Sequence, residues 1–159
     1  DPSHGSWYYE QITLGFNYRM TELQAALGLS QMKRLKEIVD RRTALAARYD
    51  KLLANLPVQR PIQAPSPGSS WHLYVRQVPQ NHHSQIFDYL KRAGIGVNIH
   101  YIPIHRHPFY RSMGFKLGQF PNAESYYSKS ISIPLYFGLT EKDQDQVCAT
   151  LEQCFIRIT

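Results

Sequence analysis

The chain has 159 residues, of which 43% are hydrophobic and 19% charged, with a formal net charge of +6. That is enough for one core and too little for two comfortable domains. No apolar run approaches the roughly eighteen residues of a membrane span, and the N-terminus has neither the basic start nor the apolar core of a signal peptide. The positive charge is dispersed: its densest group, Lys33, Arg34, Lys36, Arg41 and Arg42, is interleaved with Glu37 and Asp40 as on a solvated helix face. No zinc-finger or ribonucleoprotein signature accompanies it, so nucleic-acid binding finds no support. Cys148 and Cys154, the only cysteines, are spaced six apart on what reads as the last helix, so they face different ways and need not pair. A cytoplasmic protein with no membrane contact is the expectation.

In chain order, residues 1–20 open without an initiator Met, and Trp7, Tyr8 and Tyr9 have nothing nearby in sequence to pack against. The segment reads as the continuation of something upstream, its aromatics either lining a base or sugar or belonging to a core. Residues 21–56 read as a long helix, or two in line. Thr21 followed three residues later by Gln24 is a capping box, so the helix starts there. From Leu23 to Met32 apolar and small residues go right round the cylinder, the pattern of a helix covered on several sides. From Leu35 the pattern narrows to a stripe of Leu35, Ile38, Arg42, Leu45, Tyr49, Leu52 and Leu56.

Residues 57–70, with Pro57, Pro61, Pro65, Pro67 and Gly68, cannot continue a helix and read as an extended linker. Residues 71–159 read as a small α/β domain. Trp71 to Val78 alternates as a strand, and His72 within it faces either a pocket or, as strand alternation favours, the core. Ser84 starts an amphipathic helix through Ile86, Phe87 and Leu90 that Gly94 stops. Val97 to Ile102 is expected as a second strand, Asn122 to about Lys129 as a short helix and Ile131 to Ile133 as a third strand. Thr140 with Asp143 caps a last helix that buries Val147, Leu151 and Phe155. Strands and helices alternating around short links make a two-layer α/β (α+β) architecture.

Two clusters carry possible chemistry. Asn17 and Arg19 lie on the approach to a helix N-terminus, where backbone N–H groups and the helix dipole favour an anion; equally, Asn17 can make a turn bond and Arg19 can pair with Glu22. The run from His100 to His107 (His-Tyr-Ile-Pro-Ile-His-Arg-His) offers imidazole, phenol and guanidinium suited to a sugar ring, or fills a loop beneath Phe109 and Tyr110. As a metal site it lacks a nearby Cys or carboxylate, so no metal is expected. There is no Gly-x-Ser-x-Gly elbow, and all seven lysines, Lys33, Lys36, Lys51, Lys91, Lys116, Lys129 and Lys142, sit in polar contexts unlike that of a buried Schiff-base lysine.

The motif Gly15-x-Asn17-x-Arg19-Met20-x-Glu22-x-Gln24-Ala25-Ala26 resembles that of the pyridoxal-phosphate-dependent nucleotide-sugar aminotransferases, the DegT/DnrJ/EryC1/StrS family. The likeness runs from about His4 to Phe155 and matches the C-terminal two-fifths of such an enzyme, part of a fold-type I aminotransferase. It implies a homodimer in which Asn17, with Arg19 beside it, reaches the cofactor phosphate of the other subunit. His100-Tyr101-x-Pro103-x-His105 resembles the family's substrate loop, which makes His100, Tyr101 and His105, together with Tyr8, the candidate substrate contacts. The implied activity is transfer of an amino group, from glutamate, to a nucleotide-linked keto-deoxysugar. Within the family the stretch from Trp7 to Thr21 looks most like the C4 transaminases of UDP-linked 4-keto-6-deoxy-hexosamines, as in pseudaminic acid synthesis. The family's lysine lies upstream of the motif, so no catalytic residue is expected in this chain, which alone would be inactive. A relative with His in place of that lysine would be a dehydratase, and a non-catalytic sugar- or partner-binding module is the contrasting reading.

Overall fold

The structure, a computed structural model, describes residues 13, 15–16, 18–63 and 68–158. The chain forms two compact units, Asp1–Leu35 and Lys36–Thr159.

The first unit contains helix α1 (Glu22–Met32). Thr21 takes an extended conformation and its hydroxyl accepts the Gln24 N–H at 3.3 Å, while the Thr21 N–H donates to Gln24 Oε1 at 3.0 Å. Both halves of the capping box are therefore made, and two backbone donors that a helix start leaves orphaned are satisfied. The helix stops at Lys33, and a turn separates it from the next one, so the long apolar stretch is two helices. The described residues of this unit do not supply the covering expected around Leu23 to Met32. No residue of α1 is buried, and Leu23, Leu27, Leu29 and Met32 are 79%, 70%, 64% and 61% exposed.

The second unit begins one residue into α2 (Leu35–Leu52), which buries Leu45, Ala46 and Tyr49, with Leu53 just beyond its end. The buried row steps by four through Leu45, Tyr49 and Leu53; Leu52, expected inside, lies one position off that row and is exposed. Arg42, read as part of the apolar stripe, is half-buried and donates to the carbonyls of Trp71 (2.8 Å) and His72 (3.1 Å). Strand β1 (Tyr74–Gln77) pairs antiparallel with β2 (Ser130–Ile133) in the register Tyr74 to Ile133 and Gln77 to Ser130. The strand starts later than its alternation suggests because Trp71 sits at φ 49°, outside extended space, its N–H held by Ser69 Oγ at 3.0 Å. Single antiparallel bridges extend the sheet on both edges, Gln59 to Gln77 and Asn98 to Ser132. The stretch read as a linker thus contributes one sheet contact.

No strand runs from Val97 to Ile102. After the Asn98 bridge the ladder ends because side chains take its place: the Ile99 N–H bonds to Asn98 Oδ1 at 2.8 Å, and His100 bonds to the Ser132 hydroxyl. Helix α3 (His83–Arg92) buries Ile86 and Leu90 and is followed by Gly94 at φ 79°, where a left-handed residue ends the helix at no steric cost. Two short helices, α4 (Pro108–Ser112) and α5 (Pro121–Tyr127), each begin with a proline whose missing N–H costs nothing there; α4 lies where no element was expected. The last helix, α6 (Glu141–Ile158), starts at Thr140, whose N–H and hydroxyl both donate to Asp143 Oδ2 (3.1 and 2.6 Å). It buries Val147, Leu151, Cys154 and Phe155 at helical spacing and packs on α3, which in turn meets β2. The result is a mixed layer of helices on a small sheet, with one continuous apolar core.

Behind β1 sits a polar cluster in the interior. Arg76, 3% exposed, lays its guanidinium 4.9 Å from the Tyr74 ring and bonds to Asp50 (2.9 Å) and to the Tyr74 hydroxyl, which itself donates to Asp50 at 2.6 Å. Burial pushes the Tyr49 and Tyr74 phenols well above their ordinary range. These groups tie α2 to β1 from beneath.

Candidate functional site

In the first unit, Arg19 is exposed beside Tyr18, Met20 and Gln24 around a shallow depression at the start of α1. It makes no ion pair with Glu22 among the described residues, so the alternative in which it pairs with that carboxylate does not form. Gln24's N–H is spent on the cap, which leaves the first N–H groups of α1 and the guanidinium as the donors facing solvent. An anion can be held there by side-chain charge plus the helix dipole. Asn17 and Tyr8, the other two residues expected at cofactor and substrate, lie outside the described residues.

In the second unit, the loop leaving the Asn98 bridge carries His100 and Tyr101, joined by a cis peptide bond. His100 Nδ1 lies 2.7 Å from Ser132 Oγ and its Nε2 lies 3.4 Å from Asn98 Nδ2. Tyr101 meets the imidazole edge to face, with ring centroids 4.7 Å apart and planes at 82°, and is itself 71% exposed. His100 lines a small cavity of about 170 Å³ with His72, Gly96, Asn98 and Ser132. His72, for which a core position was favoured, is exposed: the turn at Trp71 and the Arg42 bonds to both carbonyls set the chain before the strand alternation begins.

His105 is placed differently. It is buried, with Nε2 2.8 Å from Glu124 Oε1 and its ring against Phe120 at 4.8 Å. The same carboxylate oxygen accepts the Gly118 N–H at 2.8 Å. The Gly118 N–H, with a smaller contribution from His105, holds the Glu124 carboxyl below the usual glutamate range. This clasp fastens α5 to both ends of the 105–118 excursion, whose exposed side chains include Phe109, Met113 and Leu117. His100, His105 and His107 are not gathered into a metal-holding group; no cluster of three or more potential ligands occurs among the described residues.

Six of the seven lysines are exposed and Lys129 is half-buried, so no lysine in the chain has the desolvated setting of a Schiff-base former. Both cysteines are free, and burial pushes the Cys148 thiol up to about 11. No helix among the described residues is long and apolar enough to cross a membrane.

Asn98, Ser132 and Glu124 are not singled out by the sequence, and Arg42 is read there only as part of a helix stripe and a basic face. For Ser132 a signal existed, since Ser130-Ile-Ser-Ile133 places hydroxyls in a short strand. For Glu124, nineteen residues from His105, none did.

Residues 2–152 match the DegT/DnrJ/EryC1/StrS aminotransferase family. The chain is 40% identical over 152 residues to the spore coat polysaccharide biosynthesis protein SpsC of Bacillus subtilis, covering 91% of this chain and 39% of that protein. Among solved structures it superposes on Spr1654 of Streptococcus pneumoniae in its PLP form with a TM-score of 0.86 at 28% identity, over 97% of this chain and 40% of that one. It also matches PseC of Helicobacter pylori, an aminotransferase involved in the biosynthesis of pseudoaminic acid, with a TM-score of 0.81 at 27% identity, over 96% and 42% of the two chains. The chain spans about two-fifths of the length of the curated relatives it matches.

Proposed function

The chain belongs to the DegT/DnrJ/EryC1/StrS aminotransferase family, and on that premise we propose that it serves a pyridoxal-phosphate-dependent enzyme moving an amino group from glutamate to the keto carbon of a nucleotide-linked deoxysugar. The observation that carries the reading is the family match over residues 2–152, supported by a fold shared along 97% of the chain with a protein solved in its PLP form. When bound, the cofactor supplies the electron sink that lets an amino group pass between donor and acceptor.

The donors present fit its phosphate: Arg19 is exposed and not committed to Glu22, at the positive end of α1. With Asn17 it would hold that group for a second subunit, because α1 carries an apolar surface that its own unit leaves uncovered. A homodimer built on that helix, in the cytoplasm, completes the reading. The sugar faces the edge formed by His100 and Tyr101, while His105, buried with Nε2 on Glu124, anchors the loop that follows; Tyr8 stays a candidate substrate contact on the family resemblance alone. The Tyr101 phenol there meets the ring with the His100 imidazole behind it; neither takes the role of the lysine, for which none of the seven lysines has a desolvated setting. Nucleotide-linked 4-keto-6-deoxy-hexosamines are the proposed acceptor class, and the likeness to PseC supports that choice.

The test uses the protein expressed from its complete gene. With pyridoxal phosphate it should show a visible absorbance band that borohydride fixes, and it should form an amino sugar from UDP-linked 4-keto-6-deoxy-hexosamine and glutamate. Arg19→Ala and Asn17→Ala should weaken cofactor retention. Cofactor held equally well by both variants, or absence of the band in the wild type, would overturn the assignment.

A further inference from the structure

The bonds around His100 determine which of its nitrogens carries the proton. Asn98 is fixed first. Its backbone exchanges both hydrogen bonds with Ser132, N–H to O at 3.2 Å and O to N–H at 2.8 Å, and its side-chain Oδ1 accepts the Ile99 N–H at 2.8 Å. With Oδ1 so held, the amide NH2 is the group turned toward His100, 3.4 Å from Nε2. A donor facing Nε2 requires a lone pair there. The ring proton is then on Nδ1, and it donates to Ser132 Oγ at 2.7 Å. Ser132 is 5% exposed in a strand whose four residues are all buried, so this acceptor cannot drift.

Both nitrogens of His100 are thus engaged within the chain, and what the ring still offers is its contact with Tyr101. The Tyr101 hydroxyl has no partner among the described residues, and the side chain is open to solvent.

We propose that Asn98 and Ser132 are positioning residues that clip His100 in its Nδ1–H tautomer, and that His100 in turn sets the orientation of Tyr101, whose hydroxyl is the group that meets a hydroxyl or keto oxygen of the nucleotide-linked sugar. The inference rests on the sugar-facing assignment of this edge and divides its labour: Tyr101 contacts, while His100 and the clip behind it position. An ordered phenol loses less freedom when it binds than a swinging one, so the clip acts on substrate affinity.

Two measurements test this independently. Nitrogen-15 spectra of the histidine rings in the 159-residue chain should show His100 with a protonated Nδ1 and an unprotonated Nε2. Asn98→Asp, which replaces the donor facing Nε2 with an acceptor, should move a proton onto Nε2. A wild-type ring protonated on Nε2 alone, or one that ignores Asn98→Asp, overturns the clip. In the protein expressed from its complete gene, Ser132→Ala should raise KM for the UDP-linked keto sugar roughly tenfold, the scale of one lost hydrogen bond, and leave kcat within about twofold. Ser132→Thr, which keeps the hydroxyl, should restore KM, a rescue that a general packing defect would not give. If Tyr101→Phe raises KM and Ser132→Ala does not, the positioning role is overturned while the sugar edge stands. If neither raises KM, the sugar-facing assignment falls and the positioning proposal with it, whatever tautomer the spectra report.

Discussion

Helices α1 and α6 are both rich in apolar side chains and both start at a threonine cap, yet their side chains end in opposite environments. In α6, Val147, Leu151, Cys154 and Phe155 are sealed in the core. In α1 no side chain is buried, and Leu23, Leu27, Leu29 and Met32 stand in solvent. Apolar residues on all sides of a helix mark one that is covered all round, whereas the single stripe of α6 needs only the core beneath it. The core of the second unit thus encloses the α6 stripe, while α1 displays an apolar surface that the described residues of its unit leave open.

Substitution of core leucines should separate the two most sharply. Leu151→Ala removes a side chain that is 1% exposed and should cost about 2–5 kcal/mol, read as a shift in the urea midpoint. Leu27→Ala, chemically the same change, should leave that midpoint nearly unmoved. Leu27→Glu should instead reduce self-association, measured by sedimentation across a concentration series. Equal destabilisation by Leu27→Ala and Leu151→Ala would mean that α1 is covered within the monomer and would dissolve the contrast.

A second difference is ionic. The second unit buries charge in Arg76, whose Nε already lacks a partner, so removing the carboxylate that faces it is costly. Asp50→Ala should destabilise by about 3 kcal/mol, since it strands a buried guanidinium, and the Tyr74 hydroxyl can compensate only in part. In the first unit the one charged side chain of α1, Glu22, is in solvent, and Glu22→Ala should change stability by no more than about 0.5 kcal/mol. A small effect of Asp50→Ala would mean that the cluster opens to water.

The Glu124 clasp should respond to pH in a definite direction. Its carboxyl is held below the ordinary range when folded, so it binds fewer protons folded than unfolded. Its stabilising contribution is present above the unfolded glutamate value and is lost as pH falls through the lowered folded value. Glu124→Gln should flatten that part of the acid limb of the stability curve, and a limb identical to wild type would remove the clasp from the account.

These contrasts also explain what could be read beforehand. The caps at Thr21 and Thr140 and the α6 stripe were legible because each is a local pattern within a turn or two of one helix. The expected second strand failed for a reason equally local but harder to see: Asn98 and His100 carry side chains that compete for ladder partners, and alternation alone does not register that competition. His72 followed the alternation rule toward the core, but the strand starts only at Tyr74, and the turn before it is set by Arg42, thirty residues away. The pairing of His105 with Glu124 and the clip on His100 are contacts across the fold, fixed by which elements pack together. The family motif points to the proposed neighbourhood of the site and says nothing about which side chain holds which.

The smallest effects compare the two caps directly. Thr140→Ala removes the two hydroxyl bonds, the one that does most to hold Asp143 below its ordinary range and the one that caps the Asp143 N–H at the start of α6, and should cost about 1 kcal/mol. Because α6 is part of the core, the loss should appear in global unfolding. Thr21→Ala breaks an equivalent box, but α1 is not buried in anything its unit provides, so the same loss should appear only as faster amide exchange in the first turn, with the global midpoint unchanged. In a chain whose α1 is covered by a partner the two readouts should converge, because the cap would then contribute to a cooperative assembly. Repeating the exchange experiment at concentrations above and below self-association would therefore report whether α1 gains its cover from a second copy.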